Sequence, residues 1–143
     1  MKIKFTLTGI TLILIFSHCH TLKIIECDSC NLEYLVIAEG LTTKQNIRTA
    51  LCTMSNSCIN NTEFLEVSSQ TLLILLEKEP NITINEICRL DKNKQNFILD
   101  QIKQHVDDFE KIDLIITQIE SLAPSSDKKE KIIRRILEAL NHK

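Results

Sequence analysis

The scarcity of glycine and proline is the feature that most restricts the fold of this chain. Only two glycines and two prolines occur among its 143 residues. A protein of many short strands needs turn residues at its corners, glycine above all because it tolerates positive φ. Gly9 and Gly40 also cannot form a Gly-x-Gly-x-x-Gly turn or a Gly-rich phosphate loop, which excludes nucleotide-binding folds of those types. The chain is therefore predicted to be mostly helical.

Apolar residues recur at helical spacing from residue 31 onwards, and no segment alternates convincingly at period two. The pattern predicts short helices near residues 31–40, 42–55 and 62–79 and a fourth from residue 83. A long amphipathic helix is predicted from Asn96 to Ser121, and a last helix from about Asp127, after Pro124 breaks the chain. The predicted class is all-α: a bundle of short amphipathic helices, followed by a long helix and a basic terminal helix.

The N-terminus has the layout of a secretory signal peptide. Lys2 and Lys4 precede an apolar run of twelve residues, 5–16, which is too short to span a membrane as a helix. Small residues at positions 17 and 19 favour cleavage after Cys19, although a cut a few residues later remains open. Residues 1–19 are therefore predicted to be a signal peptide, and the mature protein to be secreted or delivered to a lysosome or granule lumen.

Cleavage after Cys19 leaves five cysteines in an oxidising compartment, where disulfides are the default. They are Cys27, Cys30, Cys52, Cys58 and Cys88. The helical bundle is thus predicted to be stapled by disulfides, with one cysteine left over. Two Asn-x-Thr sequons are compatible with the secretory pathway and make Asn60 and Asn81 candidate glycosylation sites.

No residue constellation predicts catalysis or a cofactor. His105 and His142 have no partner at metal-ligand spacing, and Cys27-x-x-Cys30 lacks the second half of a zinc site. No nucleophile motif occurs. The net charge of −2 and the lack of any run of five like charges give no nucleic-acid footprint. We expect neither an enzyme, nor a metal site, nor a nucleic-acid partner.

Charge is divided unevenly along the chain. Residues 24–91 contain four basic and ten acidic residues, whereas residues 128–143 contain six basic and two acidic ones. The basic last helix can dock on an anionic surface or pack back on the acidic region, and we favour packing back. Anionic lipids repel the acidic region at neutral pH, so any membrane binding or perturbation is expected to be stronger near about pH 5.

The cysteine pattern itself resembles a known family. A C-x-x-C follows the signal peptide, Cys52 closes the second predicted helix, Cys58 precedes the third, and Cys88 follows Glu-Ile. This pattern resembles that of saposin-like proteins, and the segment Ser68–Glu77 with Ile87-Cys88 is similar to the third and fourth helices of saposins. Residues 41–44 are similar to amoebapores. The resemblance covers about residues 24–94, which implies a saposin-like domain there and a helical C-terminal extension over residues 95–143.

The family pairing implies disulfides between Cys30 and Cys88 and between Cys52 and Cys58. The family's sixth cysteine would fall near Lys94, so Cys27 has no family partner. Cys27 is therefore expected to be a free thiol, a mixed disulfide or the link of a homodimer. The state of Cys27 is the sharpest test of this interpretation, and peptide mapping is expected to find Cys52 linked to Cys58.

The resemblance also implies binding of lipids or membranes by helices that hinge apart and expose an apolar face. The candidate lipid-facing residues are Leu32, Leu35, Val36, Ile47, Leu51, Leu65, Leu72, Leu73 and Leu76. Without the resemblance, the sequence alone favours the interpretation of this stripe as part of the core. The competing class is a secreted short-chain four-helix-bundle cytokine that acts through a cell-surface receptor, because size, sequons, disulfides and amphipathic helices suit it as well.

Overall fold

The computed structural model describes residues 27–142, apart from the side chain of Asp108, and the predicted signal peptide lies outside them. Seven α-helices and two 3-10 turns, with no strand, make up this part of the chain. The helices are α1 (Leu32–Gly40), α2 (Lys44–Thr53), α3 (Thr62–Lys78), α4 (Pro80–Ile87), α5 (Lys92–His105), α6 (Ile112–Glu120) and α7 (Asp127–Leu140), and the turns are Asn56–Cys58 and Val106–Asp108. The all-α prediction is confirmed.

Side-chain caps fix most helix starts. The hydroxyl of Thr43 accepts a hydrogen bond from the Asn46 N–H at 3.2 Å, so α2 begins one residue later than a cap at Thr42 would place it. Asn61 caps α3 in the same way. Helix α4 begins at Pro80, whose fixed φ and missing N–H suit the first helical position, rather than at the predicted Thr83.

The prediction of one long helix from Asn96 to Ser121 is wrong. Helix α5 ends at His105, a 3-10 turn follows, and Phe109 has extended backbone (φ −111°, ψ 117°) before α6 begins at Ile112. The apolar spacing of three and four continues across this break, because residues on both sides of it pack into the same core. Periodicity alone therefore cannot locate such a break.

A single hydrophobic core runs through the described residues. Helix α3 packs against α1, α4, α5 and α6, and α7 packs against α4, α5 and α6. Phe64 and Leu72 of α3, Ile98 of α5 and Ile136 of α7 are all fully buried in this core. The core continues across the predicted boundary between residues 94 and 95. The basic terminal helix thus packs back on the rest of the protein, as favoured above.

The disulfides differ from those that the resemblance implied. Cys27 pairs with Cys52 and Cys30 pairs with Cys58, with Cα–Cα distances of 4.9 and 5.6 Å. The implied bonds Cys30–Cys88 and Cys52–Cys58 are therefore corrected. Cys88, rather than Cys27, has a free thiol.

A tight turn explains this pairing. Asp28 and Cys30 have positive φ (73° and 49°), which folds residues 27–30 against the end of α2. The Asp28 N–H donates to the Cys52 carbonyl at 3.2 Å, and the Ser57 hydroxyl donates to the Asp28 carbonyl at 3.3 Å. Both sulfurs of the C-x-x-C segment thereby reach their partners, Cys52 near the end of α2 and Cys58 at the end of the first 3-10 turn.

Lys94 of α5 also stabilises this turn, through a hydrogen bond and an ion pair. Its Nζ donates to the Cys52 carbonyl at 2.9 Å and lies 3.1 Å from Asp28 Oδ1. Partial burial by itself raises the pKa of Asp28, but the hydrogen bonds from Lys94 and Ser55 and the Lys94 charge outweigh it, so the pKa is lowered. A lowered folded-state pKa stabilises the fold above the ordinary Asp pKa, and this stabilisation is lost as the pH falls through the folded-state value.

The pairing is directly testable. Proteolysis of the non-reduced protein, followed by mass spectrometry, should yield peptides that link Cys27 to Cys52 and Cys30 to Cys58. Alkylation before reduction should label Cys88 in the unfolded protein. Recovery of a Cys52–Cys58 or a Cys30–Cys88 peptide as the main species would contradict the structure and restore the saposin-like pairing.

Candidate functional site

The nine predicted lipid-facing residues occupy three kinds of environment. Six lie in the core with at most 1% exposure: Leu35, Ile47, Leu51, Leu72, Leu73 and Leu76. Leu32 and Leu65 are partly buried against it, and Val36 is 61% exposed. Most of the predicted face is thus closed against other helices. The accessible part is Val36 and the partly buried Leu32 on α1, and Leu65 on α3.

A groove of about 510 Å³ opens between α3 and the connection from α5 to α6. Its apolar lining comes from Leu65, Leu73, Ile74 and Phe109. The polar lining residues are Thr62, Glu66, Gln70, Gln104 and His105. Apolar side chains with a few polar groups are typical of small-molecule sites, which have volumes of about 300–1,000 Å³.

Two local features build this groove. On α3, the lining residues recur at spacings of three or four, which places them on one stripe of the helix. The opposite wall exists because α5 ends at His105, and the extended backbone of Phe109 brings its ring to the groove. Lys111 then fastens the connection to α3 through an ion pair with Glu77, with Nζ and Oε1 2.6 Å apart.

Sequence reasoning found only part of this groove. Leu65 and Leu73 were among the predicted lipid-facing residues, whereas Ile74 and Phe109 were not. The α3 stripe was visible in the helical spacing of residues 62, 66, 70 and 73. Phe109 gave no such signal, because the apolar repeat placed it inside an unbroken helix.

A buried carboxylate lies at a second point of the structure. Glu86 of α4 is 2% exposed, and its two oxygens accept hydrogen bonds from Arg48 at 2.9 Å and from Arg89 at 3.0 Å. Both arginines are about half exposed. The group is a fully paired ionic contact between α2 and α4.

The remaining candidate residues lie apart from the groove lining. Asn60 is exposed just before α3, and Asn81 is exposed in the first turn of α4, where its Oδ1 accepts a hydrogen bond from the buried Lys129 Nζ at 2.6 Å. Cys88 is partly buried; burial raises the pKa of its thiol, against the charges of Lys128 and Lys129.

Two absences hold for residues 27–142. No group of three or more histidine, cysteine, aspartate or glutamate side chains in this part of the chain is placed to hold a metal ion. No helix there is long and apolar enough to cross a membrane.

Comparisons with protein-family models, with curated proteins and with solved structures find no match for this chain. None of these comparisons identifies a saposin-like family, and the observed disulfide pairing departs from the one that the resemblance implied.

Proposed function

We propose that this protein is a secreted helical protein that binds a lipid with a single acyl chain. The groove between α3 and the α5–α6 connection is the observation that carries the proposal. It supplies an apolar surface from four side chains and a volume in the range of small-molecule sites. No part of this proposal depends on the saposin-like disulfide pairing.

The polar residues of the groove favour an amphiphile over a purely apolar molecule. Thr62, Gln70 and Gln104 carry neutral hydrogen-bonding groups, and Glu66 is the one carboxylate among the lining residues. A neutral or hydroxyl-bearing head group can hydrogen bond to them while the acyl chain covers the leucine, isoleucine and phenylalanine side chains. A head group with a phosphate, which cannot lose its charge, fits this groove poorly because of Glu66. A fatty acid meets the same carboxylate and is expected to bind with its own carboxyl group protonated and neutral.

The receptor-ligand alternative makes a different prediction about the purified protein. A lipid carrier isolated from its secreting cell should release a lipid on organic extraction, and mass spectrometry of the extract should find it at close to one molecule per chain. A cytokine should carry none. An extract without lipid, together with no uptake of added fatty acid, would contradict the proposal. Stronger membrane binding at acidic pH stays a separate prediction.

The groove is tested by replacing one of its apolar side chains. Ile74→Asn puts an amide on the apolar surface and should weaken binding of a fluorescent fatty acid about tenfold, since burial of an isoleucine side chain contributes about 1.5–3 kcal/mol. Ile59→Asn is the matched control, because Ile59 is 63% exposed and does not line the groove. Binding is measured by fluorescence titration.

Circular dichroism shows whether both variants keep their helix content. Equal affinity of Ile74→Asn, Ile59→Asn and the wild type for the fatty acid would exclude the groove as the site. A loss of binding in both variants would point to a surface other than the groove and would also contradict this assignment.

A further inference from the structure

Basic residues from three parts of the chain meet on one surface. Three adjoining grooves lie among α2, α4, α5 and α7. Each pair of these grooves has a lining residue in common, which is Lys128, Arg89 or Leu90. We call this surface the basic face. Its basic residues are Lys44, Arg48, Arg89, Lys92, Lys128, Lys131 and Arg135.

The basic face has almost no free negative charge. The carboxylates that line it are Glu86, which is buried between Arg48 and Arg89, and Asp91. Asp91 caps α5, where its side chain accepts hydrogen bonds from two backbone N–H groups. The charge of Glu86 is thus balanced by two arginines, whereas Asp91 keeps its charge and directs one oxygen at the N-terminus of α5.

Four of the seven cations of the basic face are available to a partner. Lys44, Lys92, Lys128 and Lys131 are exposed and form no ion pair with any residue of the described part of the chain. Arg135 is half-buried and donates to Asn96 Oδ1 at 2.7 Å, next to Asp100 and Glu138, which line a neighbouring groove. This acidic pair marks one border of the basic face.

Charge is therefore segregated in a chain that is acidic as a whole. The basic face takes seven of the 17 basic residues and two of the 19 acidic ones, which leaves ten basic and 17 acidic residues for the rest of the chain. A segregated distribution of this kind orients a protein towards an anionic surface with one side only.

We infer that the basic face docks this protein on the surface of bilayers that contain anionic lipids. The cations are spread over three adjoining grooves rather than converging on one point, which suits an extended layer of phosphate and carboxylate head groups better than a single small anion. Partly buried Ile82 and Leu90 lie between the cations and suit contact with the head-group region.

A nucleic acid is the less favoured anionic partner. Binding of single strands commonly uses aromatic side chains on which bases stack. None of the residues that line the three grooves of the basic face is aromatic. The biological role of this docking rests on the proposed lipid function. The docking itself does not depend on that function, because the basic face and the α3 groove share no lining residue.

The test compares two charge reversals of equal size. Lys128→Glu with Lys131→Glu removes two cations of the basic face, and both positions lie in the first turns of α7, where acidic residues favour helix formation. Lys78→Glu with Arg134→Glu makes the same change in net charge at exposed residues outside the basic face. Each basic residue near an anionic membrane strengthens binding about fivefold.

Co-sedimentation with vesicles of phosphatidylcholine and phosphatidylserine is the readout. We expect the first variant to bind at least about 25-fold more weakly than the wild type, the second to change far less, and added salt to weaken wild-type binding. Vesicles of phosphatidylcholine alone should bind none of the three proteins strongly. Equal loss in both variants, or no wild-type binding to the anionic vesicles, would overturn the inference.

Two further arms separate this inference from its alternatives. Fatty-acid binding is measured on the same proteins: a wild type that binds anionic vesicles but no fatty acid refutes the proposed groove function and leaves the basic face supported. Both proposals are supported if the variant with Lys128→Glu and Lys131→Glu no longer binds the vesicles but still binds the fatty acid. Tighter wild-type binding to single-stranded RNA than to the vesicles, lost in the same variant, would assign the basic face to nucleic acid and contradict membrane docking.

Discussion

Replacing Cys30 and Cys58 by serine should lower the free energy of unfolding by about 2.7 kcal/mol, the chain-entropy value for the loop of about ten residues that this bond closes while Cys27–Cys52 is intact. The two residues are separated by 28 positions in the sequence, and their bond ties the N-terminal turn to the segment before α3. When this cross-link is removed, the unfolded chain gains more conformational entropy than the folded one, which lowers the free energy of unfolding. Urea denaturation followed by circular dichroism measures the change.

Cys88→Ser is the control for the disulfide variant. Cys88 is free and only partly buried, so its replacement should cost less than about 1 kcal/mol. The pairing implied by the saposin-like resemblance makes the opposite prediction, because Cys88 would then close the longest loop. The structure would therefore be contradicted if Cys88→Ser had a much lower free energy of unfolding than the wild type without reductant, and if this difference disappeared once the wild type was reduced.

The second large effect concerns the buried carboxylate of Glu86. Replacing both Arg48 and Arg89 by alanine leaves this carboxylate without a counter-charge at 2% exposure, and should lower the free energy of unfolding by about 3 kcal/mol. Because the cost comes from the uncompensated charge, adding Glu86→Met should recover most of the loss. Thermal and urea unfolding of the double and triple variants measure both changes.

An exposed ion pair provides the comparison. Arg134 pairs with Glu130 on α7 at 3.1 Å, with side-chain exposures of 68% and 55%. Arg134→Ala should therefore cost less than about 0.5 kcal/mol. If adding Glu86→Met does not raise the free energy of unfolding of the double variant, the two arginines stabilise the fold through packing of their side chains and not by balancing the charge of Glu86.

Helices were predictable because their signals are local. The apolar stripe of α7 and the stop of α3 before Pro80 can be read within a few residues of sequence, and the structure has both. The break after His105 has no such signal, since neither glycine nor proline marks it. It is set by the packing of α5 and α6 against α3, which is a property of the whole core.

Disulfide pairing and surface charge depend on contacts between distant residues. Five cysteines allow many pairings, and the tight turn at Asp28 that selects the observed ones depends on Cys52 and Lys94. Likewise, Lys44 and Lys131 lie 87 positions apart in the sequence, yet both line the basic face. A balance of acidic and basic residues along the chain cannot reveal such a face.

Both cross-links lie within residues 27–58, whereas the segment from residue 121 to 126 that leads into α7 is exposed along most of its length. A protease that cuts this segment would leave α7 held to the protein by non-covalent contacts alone. Helix α7 supplies three of the seven cations of the basic face. Dissociation of the cut fragment would remove these three cations in one irreversible event, with both disulfides still intact.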